Sequence, residues 1–423
     1  LQVFIELVKN MLTHRKRWLL FACCFYGASW GVFATETYRL EQLLQLAREN
    51  NRAFLAGRDA VTAARAGIET ASAVPNPELE YTSGTQRPRA LGGPEGRVRG
   101  VWLSQRLEYP VQRQARIAAA SASADAVDAE FRVLESELLA RLKIRYYELL
   151  RRQVELAAAQ EDARLMMQIG QRVALKVSTG EAARYESIKA ESEALNAQKN
   201  AQSAAARVAQ AKAALQQAVG VALADDFTLS GQLDDPVAVP ELSTVRSELL
   251  ERNPDLQRLR ALRQQAERQL DYERAQRLPA LTLKGGMEQD SETKTGRIGI
   301  ALPLPIFDRR QGPIGSATAQ LSRTRNELEN QEFILLQAIE AAYQQYQSAA
   351  VQVAAFESGI VYQAKEALRV AESAYLYGER GILDYLDAQR VLRSVRGELI
   401  AARFDLQVAA AEIERLRAHF ITQ

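Results

Sequence analysis

From Val111 to Val177 the chain runs 67 residues with no proline and a single glycine, Gly170. Proline and glycine are the usual helix breakers. The stretch therefore reads as one uninterrupted helix, roughly 100 Å long at about 1.5 Å per residue. A helix of that length without internal caps predicts coiled-coil packing rather than burial in a globular core. Composition agrees. Aromatics are only 7% of the chain and alanine is abundant, so helices can approach one another closely. Gly180 breaks the helix, and a return helix follows from about Glu181 to Val219. A second long helix runs from about Pro313 to Leu376, breaks near Gly378, and returns to about Phe420.

Each long helix follows a pair of short alternating stretches. Residues 78–84 place Leu79 and Tyr81 on one side and Glu78, Glu80 and Thr82 on the other. Residues 98–109 set Val101, Leu103, Leu107 and Tyr109 against Trp102, Ser104, Arg106 and Glu108. A loop rich in Gly, Pro and Arg joins the two. The same pattern returns over 280–287 and 297–304, where Leu281 and Leu283 alternate with Thr282 and Lys284. There Ile298, Ile300, Leu302 and Leu304 share one face. Alternation with period two predicts four half-buried strands.

The order suggests duplication. Glu49-Asn50-Asn51 corresponds to Glu251-Arg252-Asn253, Pro77 and Leu79 to Pro279 and Leu281, Pro110 to Pro305, and Tyr147 to Tyr343. We read residues 35–219 and 242–423 as two repeats of helix, strand, strand, long helix, tip and return helix. Residues 220–241, which hold Gly220, Gly231, Pro236 and Pro240, form the linker between them. A period near 200 residues is too long for a solenoid and marks a duplicated subdomain.

Charges gather just past the two tips. In 375–390, YLYGERGILDYLDAQR, Asp384 and Asp387 lie three apart on one helix face. In the first tip Gly180 matches Gly378, Glu186 matches Asp384, and Lys189 stands where Asp387 does. A carboxylate pair at this spacing is by itself a solvated helix face. It lacks the facing geometry of an acid–base pair.

The N-terminus carries an address. His14 to Arg17 are basic, Trp18 to Phe33 are apolar, and Ala34 offers a small residue for cleavage. Residues 1–34 read as a cleaved secretory signal, with translation starting at Met11. Both cysteines, Cys23 and Cys24, lie inside it. The mature chain then has no disulfide and no thiolate metal site, and Leu20-Phe21-Ala22-Cys23 only loosely resembles a lipidation box. Removal of the signal takes away Lys9, Arg15, Lys16, Arg17 and Glu6. The rest is close to neutral, and no basic face for nucleic acid is implied.

Four strands with one apolar face each fit either a small soluble sheet capping a helical bundle or part of a membrane β-barrel. The secretory signal, and the lack of any apolar 20-residue run in the mature chain, favour the barrel, whose spans alternate rather than run apolar throughout. Four strands cannot close a pore-forming barrel, whereas three chains supply twelve.

The duplicated layout, the proline-flanked strand starts and the second tip together resemble the TolC-like outer-membrane efflux family over nearly all of the mature sequence. GERGILDYLDAQR is most similar to the branch serving cobalt–zinc–cadmium-type pumps. The resemblance implies a mainly α fold with a membrane β-barrel: a homotrimer with a twelve-stranded barrel in the outer membrane of a Gram-negative bacterium. A long α-helical tunnel would continue it through the periplasm, fed by an inner-membrane resistance-nodulation-division pump through a periplasmic adaptor. Heavy-metal cations are the implied cargo, with drugs or secreted proteins as alternatives. Carried over by position, Asp384 and Asp387 line the constriction, Tyr375 and Arg380 are gate residues with Glu186 as their acidic partner, and Lys189 makes the ring mixed in sign. Gly180 and Gly378 mark the tips that meet the adaptor.

Other classes fit poorly. The chain has no P-loop, no G-x-S-x-G, no H-E-x-x-H and no Cys/His cluster, which argues against an enzyme. His419 is the single histidine beyond the signal, so no cofactor and no soft-ligand metal site is expected. Met166 and Met167 read as packing residues. A periplasmic adaptor would carry one helical hairpin; this chain carries two, each preceded by a strand pair.

Overall fold

The computed structural model describes residues 36–87, 95–224 and 226–418. The signal segment, with Met11, Cys23 and Cys24, lies outside the described residues, as does His419. A small unit joins residues 36–37 to residues 224–228, where the Thr228 N–H donates to the Glu36 carbonyl at 2.9 Å. The other, larger unit holds residues 38–223 and the described residues from 229 on.

Helices α1 (Leu40–Asn50) and α2 (Arg52–Ser72) lead into strands β1 (Glu78–Gln86) and β2 (Gly96–Leu107). Helix α3 (Pro110–Ser178) spans 69 residues, and α4 (Arg184–Val219) returns along it. Helices α5 (Leu242–Arg252) and α6 (Pro254–Ala275) then precede strands β3 (Leu281–Gln289) and β4 (Lys294–Ala301). The second long helix begins as α7 (Gln311–Ala355), passes through one π-helical turn (Phe356–Ile360) and continues as α8 (Val361–Leu376). Helix α9 (Ile382–Leu416) returns. The expected continuous helix over 313–376 is therefore interrupted once. A π turn is a single-residue insertion into an α-helix, which periodicity over a long window does not register.

The first strand starts at Glu78 as expected, and the other strand bounds shift by one to three residues from the alternation. Tyr109, read as the end of a strand, is the N-cap of α3. Proline at the first helical position, Pro110, sets the required φ and starts the helix there. Strand β4 stops at Ala301 because Pro303 and Pro305 cannot donate to a ladder.

The four strands form one antiparallel sheet in the order β1-β2-β3-β4. The two hairpins are joined edge to edge by pairing of Val101 with Met287 and Leu103 with Gly285. Register puts Leu79, Tyr81, Val101, Leu103, Leu283, Ile298 and Ile300 on one face. Those side chains are 42–87% exposed. The other face carries Glu80, Ser104, Arg106, Lys284 and Arg297, with the Trp102 ring lying over Gly286, where a Cβ would sit 2.5 Å from it. Among the described residues the outer edges of β1 and β4 have no partner.

Helix packing follows from small residues. In α4 the alanines at 190, 197, 204 and 211 recur every seventh position, and each is at most 5% exposed. They form a heptad seam that lets α4 lie close against α3. Asn51 and Asn253 cap the starts of α2 and α6. Asn51 Nδ2 donates to the carbonyls of Ala218 and Val219 at the end of α4. Asn253 Nδ2 donates to Leu416 O at the end of α9. The expected linker is pinned rather than loose. The Gly231 N–H donates to the Tyr146 hydroxyl at 3.0 Å, the Tyr346 hydroxyl to Val237 O at 3.1 Å, and Gln407 Nε2 to Asp235 O at 2.9 Å.

Candidate functional site

Both tips use one hydrogen-bonding device. The Gly180 N–H donates to Val177 O at 3.2 Å and the Glu181 N–H to Lys176 O at 2.8 Å. The Gly378 N–H donates to Tyr375 O at 3.2 Å and the Glu379 N–H to Ala374 O at 2.9 Å. This is the Schellman closure, which satisfies the last helical carbonyls and needs a left-handed residue. Gly180 and Gly378 supply it with φ of 79° and 77°. Two sharp helix ends result, each followed within a few residues by the start of a return helix.

Behind the tips the helices share an apolar cluster of Met166, Ile169, Val173, Ala190, Tyr375, Ile382, Tyr385 and Leu386. Met167, expected to pack, is instead half exposed, because its neighbour Met166 takes the inward direction. The Tyr375 and Tyr385 rings stack at 6.1 Å, and the Lys176 ammonium sits over Tyr375 at 4.5 Å. The buried Tyr375 hydroxyl has no hydrogen-bond partner among the described residues. Burial raises its pKa, and the nearby Glu186 carboxylate adds to the effect. Burial, with Glu372 beside it, pushes Tyr385 up to about 12.

The charges just past the tips pair along and between helices. Arg380 Nη1 lies 3.5 Å from Asp384 Oδ2, one turn on, with both side chains more than half exposed. Arg390 lies 3.5 Å from Asp387 and 3.6 Å from Glu193, and Lys189 lies 3.6 Å from the same Glu193. Lys189 and Asp387 thus end one chain of alternating charge, Lys189–Glu193–Arg390–Asp387, that crosses from α4 to α9. Arg172 and Glu372 add a tie between α3 and α8 at 3.8 Å.

Farther from the tips, Asp162 is 92% buried and is held by Gln389 Nε2 at 2.8 Å and Arg393 Nη1 at 2.9 Å. It braces α3 against α9. Sequence reading missed Lys176, Glu193, Arg390 and this brace. The Asp387/Arg390 and Lys189/Glu193 pairs have readable helical spacing, but contacts between residues about two hundred positions apart leave no local signal.

Among the described residues no three His, Cys, Asp or Glu side chains are placed to share a metal ion, and no helix is long and apolar enough to cross a membrane. The tips hold a set of ion pairs, exposed except at Glu193, near the stacked Tyr375 and Tyr385 rings at the ends of long paired helices.

Comparison with known proteins agrees with this geometry. The family described as "Outer membrane efflux protein" matches residues 43–221 and 245–419. The cobalt-zinc-cadmium resistance protein CzcC of Cupriavidus metallidurans is 26% identical over 379 residues, 89% of each chain. The alkaline protease secretion protein AprF of Pseudomonas aeruginosa is 28% identical over 305 residues, 68% of this chain and 62% of that one. Among solved structures, CusC superposes with a TM-score of 0.76 at 19% identity, covering 89% of this chain and 91% of that one. The chain belongs to the outer membrane efflux protein family, whose members are outer-membrane channels rather than enzymes and work with a periplasmic adaptor and an inner-membrane pump.

Proposed function

We propose that three copies of this chain close a twelve-stranded barrel and conduct heavy-metal cations out of the cell. The cargo would be cobalt, zinc, cadmium or nickel, delivered by a resistance-nodulation-division pump through its adaptor. The observation that carries the assembly is the sheet. Among the described residues it has two unpaired edges and one exposed, largely apolar face. In water both are liabilities. In a closed trimer within lipid, every edge is paired and the apolar face meets hydrocarbon. On this reading residues 35–219 and 242–423 are duplicated halves, and each contributes one hairpin to the barrel and one tip to the tunnel.

The cargo rests on the likeness to CzcC, which spans 89% of both chains. The likeness to AprF keeps protein secretion as a second reading. Selection of the metal would lie with the pump, since the channel has no ligand cluster among its described residues. Asp384, Asp387, Arg380, Tyr375, Glu186 and Lys189 form the gate in this proposal, and the turns at Gly180 and Gly378 meet the adaptor. Deleting the gene and measuring tolerance tests the cargo. Loss of tolerance to zinc, cobalt, cadmium or nickel, restored by the intact gene, supports it. Unchanged metal tolerance with lost protein secretion or antibiotic tolerance overturns it.

A further inference from the structure

The apolar face of the sheet does not stay apolar to its end. The register places Arg97 opposite Thr85, and Arg99, Gln289 and Lys294 in one row across β2, β3 and β4. Arg97, Arg99 and Lys294 therefore stand on the same face as Leu79, Tyr81, Leu103, Ile298 and Ile300. All three are exposed, and none has an ion-pair partner among the described residues. Strand geometry spaces Arg97 and Arg99 about 7 Å apart, and Arg99 and Lys294 about 10 Å apart. On β2 the side chains of Leu107, Leu103 and Val101, with Gln105 among them, cover about 20 Å along the strand before the cations begin.

The cations occupy one end only. They sit beside the hairpin connections, 87–95 and 290–293, whereas the helices enter and leave at the opposite end of the sheet. No strand residue on this face is acidic. The carboxylates of Glu95 and Glu292 lie in the connections, and Asp290 is engaged by the backbone N–H groups of Glu292 and Thr293.

With the helices in the periplasm, this end is at the outer leaflet. We infer that Arg97, Arg99 and Lys294 form a site on the lipid-facing wall for the headgroup phosphates of an anionic outer-leaflet glycolipid, whose acyl chains lie along the apolar face below. Guanidinium groups match phosphate in two-pronged geometry, and long basic side chains keep their charge at headgroup level while their stems stay in apolar surroundings. The inference rests on the sheet spanning the membrane and is independent of the cargo.

The test uses the full-length channel in bilayers of phosphatidylethanolamine containing a few per cent of a bisphosphorylated glycolipid. Bound glycolipid is titrated by native mass spectrometry. Replacing the three residues, R97Q/R99Q/K294Q, should weaken glycolipid association about a hundred-fold, at roughly 1 kcal/mol per basic residue. Removing the same number of charges from the opposite face, R106Q/K284Q/R297Q, should change it less than about two-fold. Removing the phosphates from the lipid instead leaves the protein intact, and should reproduce the loss with the native channel. That arm holds even if a variant fails to assemble. Equal retention of phosphorylated and dephosphorylated lipid overturns the inference, as does an equal effect of the two triple variants. Displacement by millimolar inorganic phosphate would show a free-anion site and overturn the lipid assignment. Metal tolerance that survives loss of the lipid separates this result from any failure of the transport reading.

Discussion

Arg393 and Asp162 meet 2.9 Å apart across 231 positions of sequence, and the Asp162 side chain is only 9% exposed. Gln389 fills the carboxylate's other oxygen, so helices α3 and α9 are braced by one three-residue polar cluster. Cutting a buried carboxylate out of such a cluster leaves its partners unpaired. Asp162→Ala should destabilise the chain by about 2–4 kcal/mol, toward the lower end because Arg393 is one-third exposed and can rehydrate. Asp162→Asn should cost less. Denaturant unfolding of the detergent-solubilised protein reads the difference.

Asn253 has two tasks at once. Its Oδ1 accepts the N–H groups of Asp255 and Leu256, and its Nδ2 satisfies the last turn of α9 at Leu416. Asn253→Ala removes a helix cap and orphans a buried carbonyl, for a loss of about 2–3 kcal/mol. Asn253→Asp keeps the cap but sets a carboxylate oxygen against the buried Leu416 carbonyl, so it should cost at least as much as Asn253→Ala. Asn51→Ala should behave alike, since its contacts to Ala53, Ala218 and Val219 have the same form.

The matched letters around Asn51 and Asn253 were visible in the sequence; their shared task at the ends of α4 and α9 was not. The difference is general in this chain. Strands could be read because each has one face of each polarity, and the long helices because proline is missing from them. The pairing of β2 with β3, which turns two hairpins into one sheet, is nonlocal and invisible to periodicity. So is the Lys189–Glu193–Arg390–Asp387 series, half of which comes from each return helix. The π turn at Phe356–Ile360 escaped because it adds one residue to a helix whose apolar pattern is otherwise unbroken.

Arg380, in the tip turn, forms an exposed ion pair with Asp384 in the first turn of α9. Such pairs contribute little to stability. Arg380→Ala should therefore leave unfolding within about 0.5 kcal/mol of the native chain. If Arg380 helps hold the tip shut, the same variant should raise single-channel conductance in planar bilayers, as should Glu186→Ala. Unchanged conductance in both would place the closing contacts elsewhere.

Tyr385 gives the tip a dependence on alkaline pH. Its phenol is held up to about 12 against an ordinary 10.0, mainly by burial. A raised folded-state pKa means that this stability is complete below about pH 10. It is lost as the unfolded chain ionises while the folded chain still holds the proton, up to about pH 12. A shift of that size corresponds to roughly 2–3 kcal/mol. Tyr385→Phe should flatten the fall in stability between pH 10 and 12. Tyr147, also pushed to about 12, should preserve the rest of that fall.

Gly180 and Gly378 should resist substitution for a backbone reason. Both hold φ near 80°, and neither has a heavy atom within 4 Å of where a Cβ would sit. Gly378→Ala should cost about 1 kcal/mol through strain alone. Gly378→Asn, which tolerates the left-handed region better, should recover part of it. Thermal unfolding of the two variants checks the order.

Four strands cannot close a barrel by themselves, so the proposed channel requires three chains. Native mass measurement of the protein extracted from outer membranes in mild detergent tests this most directly. Three chains in one particle, resistant to dissociation before heating, is the predicted result. A single chain, or a protein released intact from the periplasm by osmotic shock, would contradict it.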